Sequence, residues 1–458
     1  MLLTRLLALL TLWRPVFAQN RSFERALRQA IGALTVLGSA TLTRILASLG
    51  RQQQDWSADY RLHARAEWNE QALFDALLPS ALAHCPGRFV PVALDDTHLS
   101  KTGKRIPFTF WQRDPLSPPF HVNLAWGLRF LQASLLLPLH RKHKVNARAI
   151  PVRFQAAPTL KKPGQRASEE QKQHYRTQQP QHRLSVYAVH LLASLRQSLA
   201  AAGAQEKTLL VAGDASFCNR LLFRNPLPRT DLICRARKNL RLCRPAPGGS
   251  RRIYGDQTFT PEQIRQDAAI AWTKVKLWHA GGRRPLRYKE DTGVLWRKGG
   301  GRRPLRLIVV GPVPYRRTKH GDRCYRQPAY LLTTDLTTPV CQLLQVYVDR
   351  WEIEVNHRDE KTVLGVGEAQ LWSKQSVPRQ PALVVAAYSA LLLASVEAYG
   401  ATRSEVYGLL PKWRQRRARP SCLDLMTLLR QQLREKPVLA RTLGILSSYE
   451  QMTLSASA

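Results

Sequence analysis

Four side chains suited to phosphate chemistry recur at short intervals in one stretch, residues 341–365 (CQLLQVYVDRWEIEVNHRDEKTVLG): Tyr347, Arg350, Glu354 and Lys361. Apolar Leu343, Leu344, Val346, Trp351, Ile353 and Val355 are mixed with charges, and neither Pro nor Gly interrupts the run before Gly365. The pattern predicts one long helix stopped by that glycine. At about 100° per residue the four groups fall within an arc of roughly 60°. Buried charges are costly unless paired, so one carboxylate, two cations and a phenol make a poor packing face. The same face suits a metal-bound phosphodiester whose backbone is held by basic groups. A solvated helix with Glu–Arg pairs at i,i+4 spacing is the plainer alternative.

Two further acidic positions stand where strands are expected to end. Residues 89–96 (FVPVALDD) form an apolar run closing on Asp95 and Asp96, and residues 208–214 (TLLVAGD) close on Asp214 before a helix opens. Alternation puts Asp96 on the face of Val90, Val92 and Leu94, with Asp95 on the other. Each acid also has a plain structural role open to it, as a turn residue or, for Asp214, a helix N-cap. Three carboxylates converging in a basic cleft repel one another unless cations separate them, and Mg²⁺ or Mn²⁺ prefer oxygen ligands. Two such ions about 3.5–4 Å apart can activate an attacking oxygen and stabilise a leaving one during in-line phosphoryl displacement.

Tyr347, Arg350, Glu354 and Lys361 at this spacing resemble the Y-R-E-K signature of bacterial insertion-sequence transposases of the DDE superfamily. The resemblance extends over roughly residues 89–368. It implies that Glu354 is the third catalytic, metal-binding carboxylate and Asp214 the second. It selects Asp96, followed by Thr97, as the first, with Asp95 in reserve. Tyr347, Arg350 and Lys361 would then bind DNA. The implied fold is α/β: a ribonuclease H-like mixed sheet with a β-rich insertion before the last catalytic helix, plus helical N- and C-terminal regions. The resemblance further implies two Mg²⁺ ions per site with Mn²⁺ as substitute, recognition of terminal inverted repeats, cut-and-paste movement and a synaptic homodimer. Trp272, Trp278 and Trp296 are candidates for an insertion tryptophan that stabilises a flipped base, and hairpin formation stays open.

The remaining chain must position these groups. Its 458 residues carry 70 Lys plus Arg against 32 Asp plus Glu, a formal net charge of +38 distributed along the chain. Such a surface calls for a polyanion, with nucleic acid the leading candidate and a membrane surface the alternative; the resemblance makes that partner double-stranded DNA. Two competing readings share that charge: a DNA-binding protein of the same fold without catalysis, and an exported cationic protein binding acidic polymers. Seven cysteines without a CxxC pair argue against a disulfide framework or zinc site and fit a reducing cytoplasm, which the resemblance makes a bacterial one. Residues 1–19 imitate a signal peptide, although Arg14 and Pro15 cut the apolar run short. Residues 382–396 are too short and Ala-rich for a span and read as a buried helix, so no membrane partner is expected. No GxxxxGK[ST] occurs, and no nucleotide cofactor is expected.

Five regions are expected. Residues 1–87 are helical, with helices at 23–34, at 39–49 (capped by Ser39), at 56–65 and at 67–83. Their Arg51, Trp56, Tyr60, Arg61 and Arg65 suit either a helix-turn-helix contact with DNA or a helical cap with a solvated basic face, since no recognition helix can be picked out. Residues 88–238 hold the first part of the catalytic core, with strands at 106–111, 120–139 and 231–237, a surface segment at 156–182 and a helix at 184–202. Residues 239–327 form the insertion, with short strands at 254–259, 271–278, 294–298 and 305–313. Residues 328–400 complete the core. Residues 401–458 are a basic helical tail whose cluster at 412–419 either grips phosphate or faces solvent.

Overall fold

Five helices open the chain: α1 (Leu2–Thr11), α2 (Asn20–Thr35), α3 (Leu42–Ser48), α4 (Ser57–Ala64) and α5 (Glu70–Leu82). The cap of α3 is Thr41, whose side chain accepts from Arg44 N, while Ser39 donates to Glu368 Oε2 at 3.0 Å. The structure, a computed structural model, describes residues 1–443 apart from 115–116, 119, 140–144, 280, 319, 411 and 413–417. Most of the basic cluster at 412–419 and the end of the tail therefore lie outside the described residues.

The core follows as β1 (Phe89–Ser100), β2 (Phe110–Arg113), β3 (Leu124–Leu137), β4 (Arg148–Ala156), α6 (Glu169–Gln178), α7 (Leu184–Ala201), β5 (Thr208–Gly213), α8 (Arg220–Arg224) and β6 (Thr230–Arg235). Next come β7 (Leu242–Pro245), β8 (Tyr254–Phe259), α9 (Pro261–Gln266), β9 (Thr273–His279), β10 (Gly282–Val294), β11 (Leu305–Val310), β12 (Pro314–Arg316), β13 (Arg323–Tyr325) and β14 (Ala329–Thr333). The chain closes with α10 (Val340–Asp349), α11 (Trp351–Thr362), α12 (Ser376–Tyr399), α13 (Cys422–Arg434) and α14 (Pro437–Thr442).

The main sheet is mixed, in the order β2-β3-β1-β5-β6-β14-β11-β10-β9, with β4 also paired to β3. β1, β5 and β6 run parallel, whereas β3 and β14 flank them antiparallel. Three expectations are corrected. The strand expected to stop at its acids continues to Ser100, because the ladder to β3 carries on through Asp95 opposite Gln132 and Asp96 opposite Leu131 to Ser100 opposite Gly127. The strand expected at 106–111 begins only at Phe110, after a turn. The strand expected at 294–298 is not formed: Val294 ends the long β10, Leu295 makes an isolated bridge to Cys243 and a turn follows, while the β10 sequence, GRRPLRYKEDTGV, hides a paired strand behind its charges. Because β9, β10 and β11 join the main sheet through β14, that sheet crosses the boundary expected at 327/328.

The single helix expected over residues 341–365 is also divided. Between α10 and α11 Arg350 keeps helical angles (φ −50°, ψ −31°), but Ile353 N bonds Arg350 O at 3.0 Å, an i→i−3 contact that tightens the turn. Val340, Leu343 and Leu344 of α10 pack on Leu210, Ala212, Ile233, Ile308 and Leu331 of the sheet. Ile353 of α11 packs on Ala93, Leu136 and Ala149. This apolar seam fixes both helices to one face of the sheet.

The N-terminal apolar segment is part of the core. Leu2, Leu3, Leu6, Leu9 and Leu10 are buried, Leu2 N donates to Tyr399 OH at 3.2 Å, and Leu3 N donates to Gln432 Oε1 at 2.8 Å. Among the described residues α12 is the one helix long and apolar enough to cross a membrane, and 83% of its apolar window is buried inside the fold. Here it serves as the central core helix, against β4, α1, α2 and α5.

Candidate metal centre

Side chains of β1 alternate between two cores. Val92 and Leu94 join the larger one, and Ala93 meets Ile353 of α11. Asp95 therefore shares the α11 face and Asp96 the opposite one. Arg350 Nη1 donates to Asp95 Oδ2 at 3.1 Å and lies 3.6 Å from Glu354 Oε1. Burial first, then the Glu354 carboxylate, pushes the Asp95 carboxyl well above the usual range, and Arg350 opposes them. Asp96 is also raised by burial, opposed chiefly by Arg129.

Asp214 follows β5 directly. Leu94 stands opposite Gly213 in the parallel ladder, so Asp95 and Asp214 leave that level on neighbouring strands. A Cβ at Gly213 would come within 2.9 Å of Phe217 Cβ and 3.2 Å of Cys234 Sγ, so the close approach there requires glycine. Asp214 Oδ1 accepts from Ser216 N at 2.8 Å, while Asn219, not Asp214, caps α8. Asp214 acts electrostatically on both Asp95 and Asp96.

Tyr347 lies with its ring 5.9 Å from the Arg350 guanidinium carbon. Burial raises its phenol, opposed by Arg350 and Arg235, so the hydroxyl remains a hydrogen-bond donor at neutral pH. Lys361 is exposed near the end of α11, in a cleft shared with His98, Lys101 and Gln370. The structure thus gathers Asp95, Arg350, Glu354 and Tyr347 around one point, with Asp214 nearby, Lys361 further along the helix and Asp96 on the other face.

One residue of the site was overlooked in the sequence. His357 is only 4% exposed, and a ring nitrogen of it, an Asp95 oxygen and a Glu354 oxygen all lie within 4.8 Å of one another. Its Nε2 is buried without a hydrogen-bond partner. Burial, helped by Lys361 and Arg350, lowers its pKa to about 3, which leaves the ring neutral and able to coordinate. Glu-x-x-His at i,i+3 on a helix is a metal-ligand spacing, so the signal was present in residues 354–357.

A polar layer under α11 holds these ligands. Gln132 Nε2 donates to Glu360 Oε1 at 2.9 Å, Ser134 Oγ donates to Asn356 Oδ1 at 3.1 Å, and Asn356 Nδ2 donates to Ala149 O at 3.1 Å. Tyr388 OH donates to Asp359 Oδ2 at 3.2 Å, tying α11 to α12. These bonds satisfy buried groups that would otherwise be costly and fix the rotation of α11.

The three candidate tryptophans are engaged within the fold. Trp296 is buried against Gly299 and Phe223, Trp278 Nε1 donates to Asn146 Oδ1 at 2.9 Å, and Trp272 lies beneath Arg287 and Lys289. In the N-terminal region Trp56 and Tyr60 are exposed, with their rings 5.3 Å apart. None of the seven cysteines, all of them among the described residues, forms a disulfide.

Two carboxylates and a neutral imidazole fit a divalent cation, and the orphaned His357 nitrogen is the group such an ion would satisfy. Asp96 and Asp214 stand outside that three-residue group, which amounts to one ion's donors and does not by itself identify Mg²⁺. No protein-family model and no curated protein matches the chain.

Proposed function

We propose that the chain is a metal-dependent DNA-cleaving and strand-joining enzyme of the DDE transposase kind, built on a ribonuclease H-like core. The observation that carries this reading is the convergence of Asp95 with Glu354 and His357, beside Asp214 on the neighbouring parallel strand, in a protein of net charge +38. The sheet supports it too: antiparallel β3 and β1 continue sideways into parallel β5 and β6, and a helix bearing the last acid covers the same face. In this reading Asp95, on the face shared with Glu354, takes the role of first carboxylate.

Asp95, Glu354 and His357 would hold the cation, with Asp214 adding negative charge beside it. Bound there, a divalent ion supplies Lewis acidity to phosphodiester oxygens and favours the ionised form of an attacking hydroxyl. Arg350 keeps Asp95 paired and offers its remaining N–H donors to phosphate. Tyr347 donates a hydrogen bond from its protonated phenol. Lys361, two turns beyond Glu354 and exposed, reaches the backbone further along the strand. Water as nucleophile gives a nick with a free 3′-hydroxyl, and that hydroxyl as nucleophile gives strand transfer. Duplex DNA with inverted-repeat ends is the substrate and a homodimer the working assembly.

A DNA-binding protein without catalysis is the second reading. What favours it is Arg350, which already neutralises Asp95 and Glu354 without a metal. Incubating the folded protein with Mn²⁺ or Mg²⁺ and duplex DNA carrying the element's own ends separates the two. The enzyme reading expects nicked and joined products that vanish with Glu354→Gln and Asp214→Asn while DNA binding persists. Binding without cleavage by the wild type would leave only the second reading.

A further inference from the structure

Two other histidines also carry a buried ring nitrogen without a hydrogen-bond partner, His63 at Nδ1 and His98 at Nε2. His63 Nε2 bonds Gln29 Oε1 at 2.7 Å, and His98 lies against Gly127 with Lys361 nearby. What sets His357 apart is the company of its ring: besides the unpartnered Nε2, it sits beside two carboxylates from different elements. Leaving a buried polar atom unsatisfied is unfavourable. A ligand that accepts the nitrogen lone pair removes that cost, and Asp95 and Glu354 make the ligand a cation.

The donor types then narrow which cation. Mg²⁺ favours carboxylate, carbonyl and water oxygens and dehydrates reluctantly, whereas imidazole suits first-row transition metals. Glu354 and His357 are presented by one rigid helix three residues apart, and Asp95 is fixed on a central strand. We infer that Asp95, Glu354 and His357 form a mixed oxygen and nitrogen site for a transition-metal dication, Mn²⁺ foremost, and that His357 makes the site select against Mg²⁺. This deepens the proposed enzyme reading and rests on it for the ion's purpose, while selectivity itself depends only on the three ligands.

The test uses the full-length protein stripped with a chelator. Titration calorimetry with MnCl₂ and with MgCl₂ gives the two affinities, and pulsed paramagnetic resonance of the Mn²⁺ complex reads nitrogen hyperfine coupling. Mn²⁺ should bind roughly tenfold or more tightly than Mg²⁺, and His357→Gln should lower Mn²⁺ affinity by a similar factor while changing Mg²⁺ affinity by less than about twofold. Nitrogen coupling should be present in the wild type and absent in the variant. The wild-type spectrum needs no substitution, so a poorly folded variant leaves a decisive reading. Absence of nitrogen coupling, equal affinities for both ions, or no binding of either would overturn the inference. Mn²⁺ binding that depends on Asp95 and Glu354 but not His357 would refute it and leave the enzyme reading standing. Nitrogen-coupled Mn²⁺ in a protein that cuts no DNA would uphold it and remove the enzyme reading.

Discussion

Replacing Glu360 with Gln is expected to make stability less sensitive to alkali. Glu360 is 1% exposed on the inner side of α11, and its Oε1 accepts from Gln132 Nε2. Burial pushes its carboxyl up to about 8, with the Gln132 hydrogen bond and Lys361 opposing. In the unfolded chain the same group titrates near about 4.3. Between these values the folded state holds one more proton than the unfolded state, so stability falls as pH rises. The contribution is fully present below the unfolded value and is lost as pH passes through the folded one. At about 1.4 kcal/mol per pH unit, moving from pH 6 to pH 8.5 removes about 3 kcal/mol through this group. A glutamine of nearly the same shape does not titrate. Urea unfolding followed by far-ultraviolet circular dichroism, on both proteins at both pH values, should therefore show the wild type losing about 3 kcal/mol more than the variant. Parallel losses, agreeing within about 0.5 kcal/mol, would refute a neutral Glu360 beneath α11.

Two other perturbations probe neighbouring links. Arg350→Gln removes the cation paired with Asp95, and breaking a buried pair from one side costs about 3–5 kcal/mol. Thermal melts should show a large drop that added Mn²⁺ partly restores, and an unchanged melting temperature would mean that Arg350 does not hold the carboxylates. Leu6→Ala empties a fully buried position in α1 and should cost about 2–5 kcal/mol by denaturant unfolding. Full stability in that variant would show that the N-terminal apolar segment is not a core helix.

Local periodicity made several elements readable. β5, α7 and α13 lie close to their expected positions, and α12 extends the expected buried helix at its N-terminal end, because each buries a regular apolar face. Pairings between distant strands were not readable in the same way. β10 is rich in Arg, Lys, Glu and Asp, and only its neighbours β9 and β11 make it a strand of the main sheet. β1 outruns its apolar run because β3 supplies backbone partners beyond the acids.

The two acids of β1 illustrate the limit. Alternation correctly sets Asp95 and Asp96 on opposite faces, but which face meets Glu354 depends on where Ile353 seats α11 against Ala93 and Leu136. That seat is a property of the packed sheet. The arc drawn through Tyr347, Arg350, Glu354 and Lys361 correctly paired Arg350 with Glu354. It left out His357, which lies to one side of that arc and faces inward because Asn356 and Glu360 anchor the helix.

Metal-dependent cleavage of DNA bearing the element's ends, compared among wild type, Asp95→Asn, Asp96→Asn and Glu354→Gln, tests the central claim most directly. Each protein is first shown to be folded and to bind that DNA. With Asp95 as first carboxylate, cleavage disappears in Asp95→Asn and Glu354→Gln and survives in Asp96→Asn. Cleavage that survives Asp95→Asn but is abolished by Asp96→Asn would contradict it.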